Sequence, residues 1–568
     1  MGPTSTFAQG SVMSIGVAPN LVRTFARSHV RPVPTAARTY RTIALSVMVG
    51  VALLRVVYLT TWCRFDLSPD EAHYWEWSRH LDWSYYSKGP LVAWIIRLSC
   101  ELFGGLSESL VGSPMLAVRI PAVLFGSLTL ASIYVLTARV FRSEGWGLLA
   151  MLMATTWPLL NVGSLLMTID APFICCWGWT LVAVHAAVFD RSRWGWSIAG
   201  SLVAVGFLAK YTMVLWIPSF ALFLVFTPRY RPLLWTRGFW TMCALAACGA
   251  LPVIVWNVQH GWITLLHAGS HAGANRPLTH IHWLGPLAYV GGQFGILLGM
   301  WFYSWAVAVV KHRPTVESRP ELRYLWFLSV PTFLFFAAFS LKNGGGEANW
   351  PIAAYLSGMV LAVWWMKHEW ELPRPVYVGF AKTTTVAFCL LGVTMTLAVH
   401  DMRWLRPVLA AFIPPPTPEQ SMPIRRLDPT CRLEGWRTLA KETDAVRQSL
   451  RNDGEEPLIA GANWFIPGEV AFFLPDHPTV YAIGVPLGDR ESQFSLWHPN
   501  PIHDRDAFVG RTFILIGMGS TRWESAFESV ELVRTVEHRD GDFLLNSWNI
   551  WVGRGYKGFP NIAQPGVY

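Results

Sequence analysis

The sequence predicts a polytopic α-helical membrane protein with interfacial helices in its first outside loop and a small soluble α/β domain at its C-terminus. Hydrophobic residues make up 52% of the 568 and charged residues only 14%, against about 25% charged in an ordinary globular chain. Mean hydropathy is +0.34. About eleven apolar stretches approach the roughly 20 residues needed to cross a bilayer core. Past His400 the pattern turns polar, with short apolar runs. The composition excludes disordered, collagen-like, coiled-coil and disulfide-framework chains. The net charge of +9 speaks for orientation rather than for nucleic acid, because excess Lys and Arg in membrane proteins sit in cytoplasmic loops.

Residues 1–41 contain Arg23, Arg27, Arg31, Arg38 and Arg41, no acid and no cleavage pattern, so they read as a cytoplasmic tail before an uncleaved signal anchor. Spans are expected near 42–61, 116–139, 147–166, 171–189, 195–209, 212–227, 239–256, 284–310, 322–340, 350–366 and 376–399. The basic turns at Arg142, Arg191, Arg229, Lys311 and Lys367 then fall inside, as the positive-inside rule requires. Loops 62–115, 257–283 and 341–349 fall outside, and the membrane domain is 42–400. The first of these loops is rich in Trp and Tyr, which favour the interface, and two helices lying on the membrane are expected at 69–80 and 90–103. An odd span count leaves 401–568 outside, on the periplasmic or extracytoplasmic side of the inner membrane. A helix at 434–451 and strands at 458–460, 480–483, 512–516 and 530–536 make it a small α/β domain. No catalytic motif is legible in it. Cys63 and Cys100 flank the first loop and read as two free thiols, and no CxxC pair points to metal or redox chemistry.

The most informative stretch is Ser68-Pro69-Asp70-Glu71-Ala72-His73-Tyr74-Trp75. Ser68 suits an N-cap, Pro69 the first helical position and Glu71 the partner in a capping box. Asp70 is left over as a functional candidate, although an acid at a helix N-terminus is also favourable. Lys88 is either an interfacial snorkelling residue or a point charge for a phosphate. Arg55 lies within an apolar span, where an ionisable group is costly and commonly faces a cavity. Asp170, in Thr168-Ile169-Asp170-Ala171-Pro172, either caps the following helix or joins Asp70 in an outside acid/base and phosphate site. Lys210 with Tyr211, Asn257 to His260, and Gly344 to Pro351 with Glu347 and Asn349 are further polar clusters at outside ends. His260 has no partner at metal spacing, so no metal ligand set is assigned. The triple glycine lacks the Lys-Ser/Thr of a phosphate loop, and no nucleotide motif occurs.

Taken in order, these motifs resemble the GT-C superfamily of glycosyltransferases over roughly residues 40–400. The likeness is strongest to the bacterial branch related to protein O-mannosyltransferases and to the lipid A aminoarabinose and galacturonic acid transferases. It rests on the 68–75 motif, Tyr85-Tyr86-Ser87-Lys88-Gly89-Pro90, the 168–172 motif, Ala209-Lys210-Tyr211-Thr212, the stretch ending in Trp256-Asn257-Val258-Gln259-His260, and Glu347-Ala348-Asn349-Trp350-Pro351. The resemblance implies inverting transfer from a polyprenyl-phosphate sugar to an acceptor hydroxyl on a lipid, glycan or protein. Asp70, Glu71 and Asp170 are then the catalytic candidates. Arg55, Lys88, Lys210, Tyr211, His260, Glu347 and Asn349 are the substrate-binding candidates. No cofactor is required, and dependence on a divalent cation stays open. Where nearer relatives commonly carry His-Pro-Pro, this chain has Lys88-Gly89-Pro90, so donor identity does not carry over. The competing expectation is a transporter or flippase for lipid-linked or polar cargo, with Arg55, Asp170, Lys210 and Glu347 along its path.

Overall fold

The computed structural model describes residues 35–560 apart from 272, 274–276, 278–280, 418–419 and 519–522. The expected tail arginines Arg23, Arg27 and Arg31 lie outside the described residues. The membrane part opens with α1 (Thr35–Val57), α2 (Pro69–Arg79), α3 (Leu91–Val111), α4 (Met115–Phe141), α5 (Glu144–Ala154), α6 (Pro158–Gly163), α7 (Asp170–Val188) and α8 (Arg193–Ala209). Among the described residues, six helices are long and apolar enough to cross a membrane, or seven if the pair Gly285–Ile296 and Met300–Lys311 counts as one span. Of the other expected spans, 350–366 forms one continuous helix, Ile352–Trp370, and the rest are shorter or interrupted. The 147–166 stretch stops at Ala154 and restarts at Pro158, since proline has no N–H to continue a helix. The 284–310 stretch turns by 116° at Leu298 and Gly299, both with positive φ.

The helix α7 is the centre of this bundle, with 89% of its apolar window buried. It is apolar on every face, as a helix enclosed by other helices must be. Its first residue is Asp170, so the most enclosed of these spans begins with that carboxylate. The loop at 62–115 forms the two expected helices, α2 and α3, with α3 running eight residues past the expected end at 103.

The C-terminal part contains a five-stranded sheet of β1 (Leu458–Gly461), β2 (Val480–Ala482), β3 (Phe513–Gly517), β4 (Phe527–Asp540) and β5 (Phe543–Tyr556), in the order β2-β1-β3-β5-β4. The first three strands are parallel, with Ala460 facing Tyr481 on one side and Leu515 on the other. The β5 strand is antiparallel to both β3 and β4. The helix Trp436–Asn452 matches the expected one, whereas β5 and the helix Ile466–Phe473 had no expectation.

This domain is docked onto the loop at 62–115. Asp66 accepts hydrogen bonds from the Trp436 and Arg437 amides at 2.8 and 3.3 Å and pairs with the Arg437 guanidinium at 2.9 Å, capping the domain's first long helix from across the interface. Helix Ile466–Phe473 lies on α2 at Gly468, where a Cβ would sit 2.9 Å from the Ala72 carbonyl oxygen. Trp75 meets Phe472 edge to face at 4.9 Å.

Candidate functional site

Between the bundle and the C-terminal domain lies a cavity of about 730 Å³. Its size is that of a small-molecule site. Its polar lining comes from five separate regions: Arg55 on α1; Asp70 and Lys88 in the first loop; Asp170 with Lys210 and Tyr211; Glu347 and Asn349; and Arg432, Trp464, Arg490 and Ser492 from the C-terminal domain. One flank is apolar, formed by Leu159, Leu160, Val214, Phe335 and Phe339. Val214 and Phe335 are themselves exposed.

The neighbouring acids Asp70 and Glu71 part at the start of α2. Ser68 Oγ accepts the Glu71 amide at 3.2 Å while Glu71 Oε2 accepts the Ser68 amide at 2.9 Å, closing the expected capping box. Glu71 then takes Arg119 Nε at 3.1 Å, Arg119 Nη2 at 2.9 Å and the Met167 amide at 2.9 Å. Both side chains of this pair are fully enclosed. Glu71 therefore does not line the cavity; it joins α2, α4 and the turn before α7. Asp70, one residue earlier and rotated about 100° on a helix, is open to the cavity. The cavity is walled by protein, and desolvation pushes the Asp70 carboxyl above its ordinary range, opposed by the charges of Lys88 and Arg490. Enclosure lowers the Lys88 ammonium, with Lys210 adding to the effect and Asp70 opposing it.

A tight turn holds Lys88. Its carbonyl accepts the Tyr85 amide at 3.1 Å, Tyr85 stacks on Trp77 at 4.3 Å, and Ser84 Oγ lies 3.1 Å from the Tyr211 hydroxyl. Gly89 follows because the chain passes against α8, where a Cβ would fall 2.1 Å from the Leu208 carbonyl oxygen. This close passage brings the Lys88 turn beside the Lys210-Tyr211 segment. Lys210 Nζ meets Asp170 Oδ1 at 2.6 Å, and Asn349 Nδ2 donates to Asp170 Oδ2 at 2.9 Å. The second acidic motif is thus fixed by two of the other sequence candidates. Arg55 donates to Asn161 Oδ1 at 3.0 Å.

The cavity brings together Arg55, Asp70, Lys88, Asp170, Lys210, Tyr211, Glu347 and Asn349. Glu71 and His260 stand apart from it. His260 stacks on Trp256 at 3.9 Å, and its Nδ1 lies 2.8 Å from the Trp256 carbonyl oxygen, while Trp256 donates to Asp82 at 2.7 Å. That cluster ties the end of the helix Leu251–Gln259 to the first loop. Sequence reasoning missed Arg432, Trp464, Arg490 and Ser492; nothing local marks them, because their role depends on the docking of a domain some 400 residues away. His73, also on the lining, sits against Trp77, Trp464 and Phe494. Burial lowers its imidazole to about 3, so it is neutral. Among the described residues no three His, Cys, Asp or Glu side chains are grouped to hold a metal ion.

Residues 87–256 match the family model described as dolichyl-phosphate-mannose-protein mannosyltransferase. The chain is 30% identical over 336 residues to the lipid A galacturonosyltransferase RgtD of Rhizobium johnstonii, a match covering 57% of this chain and 66% of the relative, a little under two thirds of its length. Its fold is similar to the crystal structure of ArnT from Cupriavidus metallidurans bound to undecaprenyl phosphate, with a TM-score of 0.54, 16% identity, and coverage of 93% of this chain and 100% of that one. The chain is a multi-pass membrane protein of the GT-C fold, and parts of its sequence are similar to protein mannosyltransferases and to a lipid A galacturonosyltransferase.

Proposed function

We propose that the protein is an inverting glycosyltransferase that moves a sugar from a polyprenyl-phosphate donor to an acceptor hydroxyl at the outer face of the inner membrane. The observation that carries this reading is the meeting of Asp70, Lys88 and Arg55 in one cavity whose flank is apolar. That combination suits a charged head joined to a long apolar tail. The sequence likeness to a lipid A galacturonosyltransferase and the fold shared with a protein crystallised with undecaprenyl phosphate favour the same substrate class, with lipid A or a related envelope lipid as acceptor. In this reading residues 42–400 form the transferase domain. Residues 1–41 are cytoplasmic, and 401–568 lie in the periplasm.

The chemistry needs one carboxylate and a cationic cradle. Asp70 accepts the proton of the acceptor hydroxyl as its oxygen bonds to the anomeric carbon. The bond from that carbon to the phosphate oxygen breaks, and the phosphate departs with the electron pair. Lys88, with Arg55 on the same cavity lining, stabilises the charge that develops there. Asp170, held by Lys210 and Asn349, orients sugar hydroxyls, with Tyr211 and Glu347 beside it. Membranes containing the native chain are expected to transfer radiolabelled sugar from total polyprenyl-phosphate donors into a new product. Asp70→Asn at matched abundance is expected to transfer none; retained transfer would remove Asp70 as the base. Lys88→Ala is expected to raise the donor concentration needed for half-maximal rate by about 10-fold or more, the worth of one charge-assisted contact. Unchanged donor dependence would reject its phosphate role.

A further inference from the structure

The C-terminal domain supplies part of the cavity wall, and it does so from a recurrent place. Trp464 follows the carboxyl end of β1, and Arg490 and Ser492 follow β2, its parallel neighbour. In open sheets with parallel strands, ligands bind at the carboxyl ends of those strands. Both loops are anchored before any ligand arrives. Asp489 Oδ2 accepts the Trp464 amide at 2.7 Å, Ser492 caps the turn that follows, and Gln493 Oε1 accepts the Tyr86 amide at 2.7 Å, two residues from Lys88. The Arg490 guanidinium lies over the Trp464 ring at 4.0 Å, which fixes its plane. Its charge reaches both Asp70 and Lys88.

Charge balance asks what this arginine is for. Among the described residues the cavity is lined by Arg55, Lys88, Lys210, Arg432 and Arg490 against Asp70, Asp170 and Glu347. A polyprenyl-phosphate sugar brings one negative charge at its phosphodiester, which leaves the lining one positive charge in excess before Asp489, whose carboxyl lies outside the lining and feels the Arg490 charge, is counted. We propose that Arg490, stacked on Trp464, is a specificity-determining residue that binds a second oxyanion, either a carboxylate on the transferred sugar or a phosphate on the acceptor. The planar guanidinium matches either group bidentately. This inference rests on the transferase reading of the same cavity.

The test uses the purified full chain and its Arg490→Gln and Arg490→Lys variants. Rates are compared for polyprenyl-phosphate galacturonate against polyprenyl-phosphate galactose, each with phosphorylated and dephosphorylated lipid A. Arg490→Gln is expected to cut the native preference, as a ratio of kcat/KM values, by about 10- to 100-fold. A collapse between the two donors assigns the sugar carboxylate, and a collapse between the two acceptors assigns the acceptor phosphate. Arg490→Lys is expected to recover only part of the preference, because it lacks the planar fork. An equal fall for all four combinations would overturn the proposal, since Arg490 would then serve the phosphate common to both donors. A binding measurement separates this outcome from failure of the transferase reading. Galacturonate or methyl phosphate is expected to raise the Tm of the native chain but not of Arg490→Gln, while both respond to undecaprenyl phosphate. If neither anion shifts the native Tm, or if Arg490→Gln responds as the native chain does, the oxyanion site is rejected. Absence of transfer by the native chain alongside an Arg490-dependent anion shift would reject the transferase reading and keep the site.

Discussion

Asp70 and Glu71 are adjacent in sequence and opposite in circumstance, and the difference is set by one step of helical rotation. Glu71 receives four N–H donors and neutralises the enclosed Arg119. Glu71→Ala is therefore expected to cost about 3 to 5 kcal/mol, because it strands a buried guanidinium. Thermal unfolding in detergent checks this, and Asp70→Asn is expected to unfold within a few degrees of the native chain. The pH dependence follows from the same surroundings. In the proposed mechanism Asp70 acts when ionised, and its carboxyl is raised above the usual value of 3.8, so the acid limb of kcat/KM should lie above the ordinary carboxylate range, with activity lost as pH falls through it. Lys88→Ala removes a charge that favours the carboxylate and should move the limb to higher pH; a limb that stays in place would mean that another group sets it. The capping-box spacing made the structural role of Glu71 legible and left Asp70 over. Its partner Arg119 was not legible, because it lies 48 residues away with no local signature.

At the scale of elements, the loops that carry the site are positioned by close packing. Gly89 lets the Lys88 turn pass the end of α8, and Gly89→Ala would force a Cβ to 2.1 Å from a carbonyl oxygen. The turn must move, and a displacement near 1 Å at a reacting group costs on the order of 100-fold in rate. Gly89→Ala is expected to show that loss with the protein still folded; near-native kinetics would show that the turn has slack. The long uninterrupted spans and the two helices of the first loop were legible from apolar length and aromatic content. The breaks at Pro158 and Leu298-Gly299 were less so, since an apolar run has the same composition whether it crosses straight or turns within the bundle. The enclosed helix α7 could be expected only as a span, because its centrality depends on which neighbours surround it.

For the whole molecule, the C-terminal domain is a wall of the site and is held to α2 by backbone contact, Asp66 and aromatic packing. Its existence and most of its strands were legible from the polar turn after His400. Its contribution to the cavity was not, since that arises only when two distant segments dock. The interface encloses Glu469, whose carboxyl oxygens have no hydrogen-bond partner among the described residues. Burial raises this carboxyl well above the ordinary 4.5, with Asp66, Glu71 and Asp70 adding to the effect and Arg119 opposing it. A group that binds its proton more tightly in the folded state stabilises the fold at acid pH, and that contribution is lost as pH rises above the ordinary value. Glu469→Gln should flatten the fall in Tm between pH 5 and 8 and leave the variant about 2 to 4 °C above the native chain at pH 8; an unchanged slope would place the titrating group elsewhere. The central claim is tested most directly with purified chain in vesicles, supplied with a radiolabelled polyprenyl-phosphate sugar and lipid A. The account predicts that label passes to lipid A with release of one polyprenyl phosphate per sugar, and that Asp70→Asn stops both. Label that crosses the bilayer still joined to its polyprenyl phosphate, in native and variant alike, would contradict it and identify a flippase.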